Sequence, residues 1–275
     1  MRSPQESYQP LRSAQGSAGW NVKVTLVGGP TALVEVGGLR LLTDPTFSAA
    51  GVHESAPGRP LTKTEGAALS ADAIGPVDVV LLSHDQHADN LDPAGREVVA
   101  ATPLTLTTAS AAARLGGAAR GLASWQRVEL PRPDGGTLAV TAVPALHGPE
   151  GCEPITGEVT GFVLAGAGLP TMYISGDNAS LDVVRAIAAR VREVDIALLF
   201  AGAARTSLFG GAALTLTATD AAEAARILNA RLVVPLHLRG WAHFSEGPDV
   251  LRQAFADAGL TGRLRLIEPG ETTVL

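Results

Sequence analysis

Cysteine is almost absent from this chain. Cys152 is the only one in 275 residues, so no intrachain disulfide can form, which fits a reducing compartment. Aromatic residues make up only 4%, and a core must therefore be assembled mainly from Ala, Val and Leu. No block of Lys or Arg occurs and the net charge is -6. Nucleic-acid binding usually demands a basic stripe, so a polyanionic partner is disfavoured. No apolar run approaches the roughly 20 residues of a membrane span, and the opening "MRSPQESYQPLRSAQGSAGW" has no apolar centre of the signal-peptide kind. These absences predict a cytoplasmic protein with neither nucleic acid nor membrane as partner. A homo-oligomer stays open. Two catalytic signatures are missing as well. No G-x-S-x-G elbow announces a serine hydrolase, and no Lys follows the "VGGPT" glycines to make a phosphate loop.

What is present is apolar and strand-rich. With 46% hydrophobic residues, the chain can bury one large core. Residues 1–20 are polar and predict a poorly ordered tail, and residues 21–275 predict one domain. "VKVTLVGG", "TALVEVGG" and "LRLLTDP" have the composition of short strands punctuated by glycine. Residues 46–76 show no periodicity and predict a long loop. "VDVVLLS" (77–83) reads as a buried strand. "PAGREVVAA" (93–101) reads as a helix, with Asp92 as its cap and Pro at its first position. Further strands are expected at "PLTLTT", "RVEL", "TLAVTAVPAL", "VTGFVLAG", "PTMYISG", "VDIALLFAG" and "RLVVPL". Helices are expected at "SAAARLG", "SLDVVRAIAARV", "TDAAEAARILN" and "PDVLRQAFADAG". Each half puts strands first and helices after, the order expected of two α/β halves with sheets face to face and helices outside.

Four of the expected strands run into a potential metal ligand. "VDVVLLS" leads to His84, "TLAVTAVPAL" to His147, "PTMYISG" to Asp177 and "RLVVPL" to His237. In α/β sheets, ligands bind beyond the carboxyl ends of strands. Three of only 6 histidines sit at such ends, and a fourth, His87, follows His84 closely. Imidazole nitrogen and carboxylate oxygen suit a metal such as zinc, with a position left open for water. Each residue also has an ordinary explanation. "SHDQHADNLD" could be a polar strand-to-helix turn, His147 and His237 could be satisfied interior histidines, and Asp177 could belong to a turn in "SGDN". Their coincidence at strand ends weakens all of these.

The pieces "SHDQHADNLD", "PALHGP", "YISGDN" and "VPLHLRGW", with "GGPTALVEVGGLRLLTDPTF" before them and "EPGET" after, resemble the metallo-β-lactamase superfamily over residues 21–275. The branch they are most similar to is the broad one of metal-dependent hydrolases that includes ascorbate-6-phosphate lactonase-like proteins. The resemblance implies an αββα sandwich: two mixed β-sheets packed face to face, with helices on the outer faces. It also implies a water-activating metal centre of one or two Zn2+ ions, with Mn2+ or Fe2+ as alternatives. The implied substrate is a small ester, lactone, amide or phosphoester. The first motif of the family, H-x-H-x-D-H, is altered here. A one-residue insertion puts His84, His87, Asp89 and Asn90 in its four roles. His84, His87 and His147 then complete a first metal site. Asp89, Asp177 and His237 form a second that lacks one imidazole. Asp85 either enters the shell or holds a histidine tautomer from outside it. Asp89, Asp177 and His243 are the catalytic candidates; His243, six residues after His237 in a loop with Trp241 and Phe244, either faces the substrate as a proton donor or charge stabiliser or caps the following helix. The altered motif leaves a second reading open, a non-catalytic binding protein with a degenerate site. Cys152 is expected to be structural and His53 to be solvated.

Overall fold

The computed structural model describes residues 20–56, 59–191 and 193–275. All but the last residue of the expected N-terminal tail lies outside the described residues. The chain opens with a meander of β1 (Lys23–Gly28), β2 (Thr31–Val36) and β3 (Leu39–Thr43). A separate hairpin follows, β4 (Gly51–Ala56) and β5 (Arg59–Lys63). Next come α1 (Ala71–Ile74), β6 (Val79–Leu81), α2 (Pro93–Ala101), β7 (Thr105–Thr107), α3 (Ala109–Leu115) and β8 (Ala119–Gly121). The second half holds β9 (Arg127–Pro131), β10 (Thr137–Pro144), α4 (Glu153–Thr156), β11 (Thr160–Ala165), β12 (Met172–Ile174) and α5 (Leu181–Arg190). It ends with β13 (Ile196–Phe200), α6 (Ala218–Ile227), β14 (Leu232–Leu236), α7 (Pro248–Asp257) and β15 (Thr272–Val274).

Two mixed sheets result, in the orders β15-β1-β2-β3-β6-β7-β8 and β14-β13-β12-β11-β10-β9. Period-2 alternation explains how they stack. In β13, Ile196, Leu198 and Phe200 join a core shared with Val24, Val34, Leu41 and Leu81 of the other sheet. The intervening Ala197 and Leu199 pack instead with Val184 and Ile187 of α5, Ala221 of α6 and Leu251 of α7. The first sheet repeats this division, with Val80 of β6 and Leu82 packed against Ile74 of α1 and Val99 of α2. Strands covered on both faces read as continuous apolar runs, which is why "VDVVLLS" and "VDIALLF" show no polar alternation. The architecture is the expected αββα sandwich.

Strand directions bring the ligand-bearing ends to one edge. β10 is antiparallel to β11, β11 is antiparallel to β12, and β12, β13 and β14 are parallel. β10, β12 and β14 therefore all run the same way, and their carboxyl ends share an edge of the second sheet. Thr160 at the start of β11 donates its backbone N–H to the carbonyl of Ser83 (3.1 Å), which joins that edge to the loop after β6.

The expected loop over 46–76 is corrected by the structure, because it contains the hairpin β4–β5 and the short helix α1. Its sequence hides this. The exposed flanks of the hairpin, with Val52 70% exposed, carry no apolar alternation. Tertiary tethers hold it instead. Lys63 Nζ lies 2.9 Å from Asp92 Oδ2 and donates to the Thr46 carbonyl at 3.0 Å. Asp92 also accepts from the backbone N–H groups of Phe47, Ser48 and Gly95, the last of these being the cap of α2. Both charges of this pair are buried. Burial pulls the Lys63 ammonium below its ordinary pKa, and Asp92 opposes that shift. Removing one partner of a buried pair leaves the other uncompensated, at a cost of about 3–5 kcal/mol. Lys63→Met is expected to fall at the low end, since Asp92 keeps three backbone donors. The midpoint of urea unfolding measures this, and a loss below about 1 kcal/mol would show that the pair does not anchor the hairpin.

Candidate metal centre

Asp44, at the end of β3, organises the motif loop from below. It accepts from the Ser83 backbone N–H and from Ser83 Oγ, both at 2.6 Å, and from Asn90 Nδ2 at 3.0 Å. Its burial pushes the carboxyl up to about 7, against the pull of these hydrogen bonds. Since the Ser83 hydroxyl proton goes to Asp44, Ser83 Oγ must accept from His84 Nδ1 (3.0 Å). This leaves a lone pair on His84 Nε2. His147 is fixed in the same sense, because its Nδ1 donates to the Leu214 carbonyl at 2.7 Å.

Three ring nitrogens then converge. His84 Nε2 lies 2.9 Å and His147 Nε2 3.1 Å from His87 Nδ1. Burial drives His84 well below its ordinary pKa and takes His87 and His147 down to about 4, so all three are neutral imidazoles, the form that binds metals. Asp177 Oδ2 approaches this cluster, 3.5 Å from His147 Nε2, and the other oxygen, Oδ1, lies 3.7 Å from His237 Nε2. The potential ligand atoms fall into two groups, His84–His87–His147–Asp177 and Asp89–Asp177–His237, with Asp177 common to both.

The second group is strained and polar. His237 follows β14 in a left-handed conformation (φ +61°). Its ring stacks on Phe200 at 5.3 Å and packs against Phe244 at 4.0 Å. Position 202 can only be glycine here, since a Cβ on Gly202 would lie 2.0 Å from the His237 carbonyl oxygen. Asp89 Oδ2 lies 3.2 Å from His237 Nε2 and 3.0 Å from His243 Nε2. Burial opposes the Asp89 charge, but His243 and His237 outweigh it and hold the carboxyl well below the usual range. Asp177 goes the other way. Burial raises it to about 7, and the nearby Asp89 and Asp44 add to the rise while His237 opposes it.

A cation fits this donor set. Asp89 Oδ1, Asp177 Oδ2 and both ring nitrogens of His237 are buried and make no hydrogen bond among the described residues. Unsatisfied buried polar atoms are rare and call for an explanation such as an ion. Neutral imidazoles with carboxylates suit zinc or a similar divalent metal.

His84, His87, Asp89, His147, Asp177 and His237 thus come together, with His243 beside Asp89. Asp85 does not join them. Its carboxylate receives Arg114 Nε at 3.0–3.1 Å and its carbonyl receives Arg96 Nη2 at 2.8 Å, so neither role expected of it is filled. Gln86, between His84 and His87, packs against Gly157. Gly157, at φ +86°, has no side chain to meet it, and a Cβ there would lie 2.1–2.4 Å from the Gln86 amide. Cys152 is a buried free thiol next to α4 that accepts from Thr156 Oγ1 at 3.3 Å. His53 is half-buried, donating to the Ala49 carbonyl at 2.9 Å with its ring edge toward Trp241. Asp44 and Ser83 are the residues that sequence reasoning missed. The only signal was Asp44 in "TDPTF" directly after a strand.

A four-layer αββα sandwich with histidines and aspartates gathered at its strand ends defines a metallo-hydrolase of the β-lactamase type. The chain belongs to the beta-lactamase superfamily, whose family model, described as a beta-lactamase superfamily domain, matches residues 39–238. It is a metal-dependent hydrolase of that superfamily. It is 27% identical to a UPF0173 metal-dependent hydrolase of Pelotomaculum thermopropionicum, covering 92% of this chain and 100% of that one. It is 26% identical to a second, MK1542 of Methanopyrus kandleri, covering 91% and 99%. Among solved structures, the fold is similar to isothiocyanate hydrolase from Delia radicum gut bacteria, with a TM-score of 0.76 at 21% identity over 91% of this chain and 98% of that one. No helix among the described residues is long and apolar enough to cross a membrane.

Proposed function

We propose that the protein hydrolyses a small ester, lactone, amide or phosphoester, with its first metal ion held by His84, His87, His147 and Asp177. The observation that carries this reading is the placing of Asp177, one oxygen toward the three-histidine cluster and the other toward His237. A bound metal, Zn2+ or else Mn2+ or Fe2+, supplies an activated water and polarises the scissile bond. The chain supplies the rest. Asp44 and Ser83 orient His84, and the Leu214 carbonyl orients His147, each keeping a lone pair on Nε2. His243 donates from Nε2 to Asp89 and can deliver a proton from Nδ1 to the leaving group. Burial disfavours its charged form, but the Asp89 carboxylate prevails and raises its pKa above the ordinary value. Chelation followed by return of each metal tests the reading, with hydrolysis expected to disappear and to come back with one of them. The free, buried Cys152 supports a cytoplasmic location, and the net charge of -6 supports a small-molecule rather than a nucleic-acid substrate.

Asn90 sets the expected stoichiometry. Its amide Nδ2 donates to Asp177 Oδ1 (3.2 Å) and to Asp44 Oδ2 (3.0 Å). The amide turns a donor, not a ligand atom, toward Asp177, and its Oδ1, buried without a hydrogen-bond partner among the described residues, is a poorer ligand than an imidazole, so the second group should hold its ion weakly. One tightly bound ion per chain is expected after exhaustive dialysis, and Asn90→His is expected to raise this to two. Elemental analysis decides, and two retained ions in the unaltered protein would show that another group compensates. The same amide is the one feature favouring a non-catalytic binding protein. That reading requires the purified protein to lack stoichiometric metal.

A further inference from the structure

The cleft above the metal centre has walls of a definite chemistry. It is bordered by His87, Asp89, His147 and His243 at its base. Its sides are Leu61 of β5, Ile155 of α4, and Leu208 and Leu214 of the segment between β13 and α6. Three hydroxyl residues also border it: Thr156 gives its proton elsewhere, whereas Thr206 and Ser55 each accept from a backbone N–H and keep an O–H to donate. Thr156 Oγ1 donates to the Cys152 carbonyl at 3.2 Å, Thr206 Oγ1 accepts from the Leu208 N–H at 3.2 Å, and Ser55 Oγ accepts from the Ala88 N–H at 3.1 Å. Among the described residues, the only charged side chain on the walls away from the base is Arg59, which is exposed. A phosphomonoester would bring its charge beside Asp89 with no buried cationic side chain to receive it.

Building on the hydrolase reading above, we propose that the substrate is a carboxylic ester or lactone with an apolar acyl body, which lodges against Leu61, Ile155, Leu208 and Leu214. In the reaction the water oxygen bonds to the acyl carbon, the acyl C–O bond breaks, and the departing oxygen takes up a proton, giving a carboxylic acid and an alcohol. For a lactone both groups stay in one molecule. Chain length is the specificity variable, since each buried methylene strengthens binding by about fourfold.

Two measurements on the metal-loaded protein test this. Straight-chain carboxylates from acetate to octanoate, titrated by calorimetry, should bind with a Kd that falls about threefold to fourfold per methylene until the cleft is full. kcat/KM should rise in parallel from p-nitrophenyl acetate through butyrate to hexanoate and should exceed that for p-nitrophenyl phosphate. Leu208→Glu, and separately Ile155→Glu on the rim, should flatten both gradients without changing metal content. Flat gradients in the unaltered protein, or a preference for the phosphate, would overturn the proposal even if esters are turned over. A binding gradient with no turnover of any substrate would support the cleft assignment and overturn the hydrolase reading instead.

Discussion

Asp177→Ala is expected to lose both metal and activity, the largest effect of any single change in the chain. The side chain is fully buried, and its two oxygens lie 3.5 Å from His147 Nε2 and 3.7 Å from His237 Nε2. No other residue belongs to both candidate ligand groups. Its removal takes a negative charge from each group and leaves the neutral imidazoles without a carboxylate in the first. Turnover should drop by about a thousandfold, and elemental analysis should show less than one ion per chain. Asp177→Asn keeps the shape and is expected to fail in the same way, because an amide contributes neither the charge nor two acceptor oxygens. A variant that retains stoichiometric metal would remove Asp177 from the ligand set.

His243→Ala should separate catalysis from metal retention. The ring nitrogen Nε2 lies 3.0 Å from Asp89 Oδ2, while Nδ1 has no hydrogen-bond partner among the described residues. His243 also borders the cleft. Loss of a proton donor typically costs about a hundredfold or more in rate, so kcat should fall by that factor while metal content stays at the unaltered level. The pH profile should change with it. Asp89 holds His243 protonated to higher pH than a free imidazole, so the activity of the unaltered protein should decline on the alkaline side as that proton is lost. In His243→Ala this decline should be absent. If the variant releases metal, His243 is a ligand and its contact with Asp89 joins two ligands of one ion. If it works at the full rate, the proton comes from elsewhere.

Much of this was legible in one dimension because its causes are local. Strands buried on both faces must be largely apolar, and the runs "VVL", "MYI" and "LVVPL" that form β6, β12 and β14 are. Asp92 followed by Pro93 announces α2 through capping chemistry, and the structure shows the Asp92 carboxylate accepting from the Gly95 N–H at 2.8 Å. The convergence of His84, His147, Asp177 and His237 could be expected from their strand-end positions, since strands running in one direction end at one edge. The hairpin β4–β5 was not legible. Its order comes from Lys63 meeting Asp92, 29 residues away, and no apolar periodicity marks it. Nor could the sequence choose between roles for Asp85. Arg114, also 29 residues away, takes that carboxylate. Asn90 could be seen to replace a histidine, but only the folded chain sets its amide between Asp44 and Asp177, 87 residues beyond it. The sequence by itself thus determined the layers of the sandwich and the set of side chains at its strand ends, because hydrophobic period and capping act between near neighbours. Which of those side chains face one another, which are held aside, and what lines the cleft above them were decided by tertiary structure alone, because hydrogen bonds and burial depend on partners that only packing brings within a few ångströms.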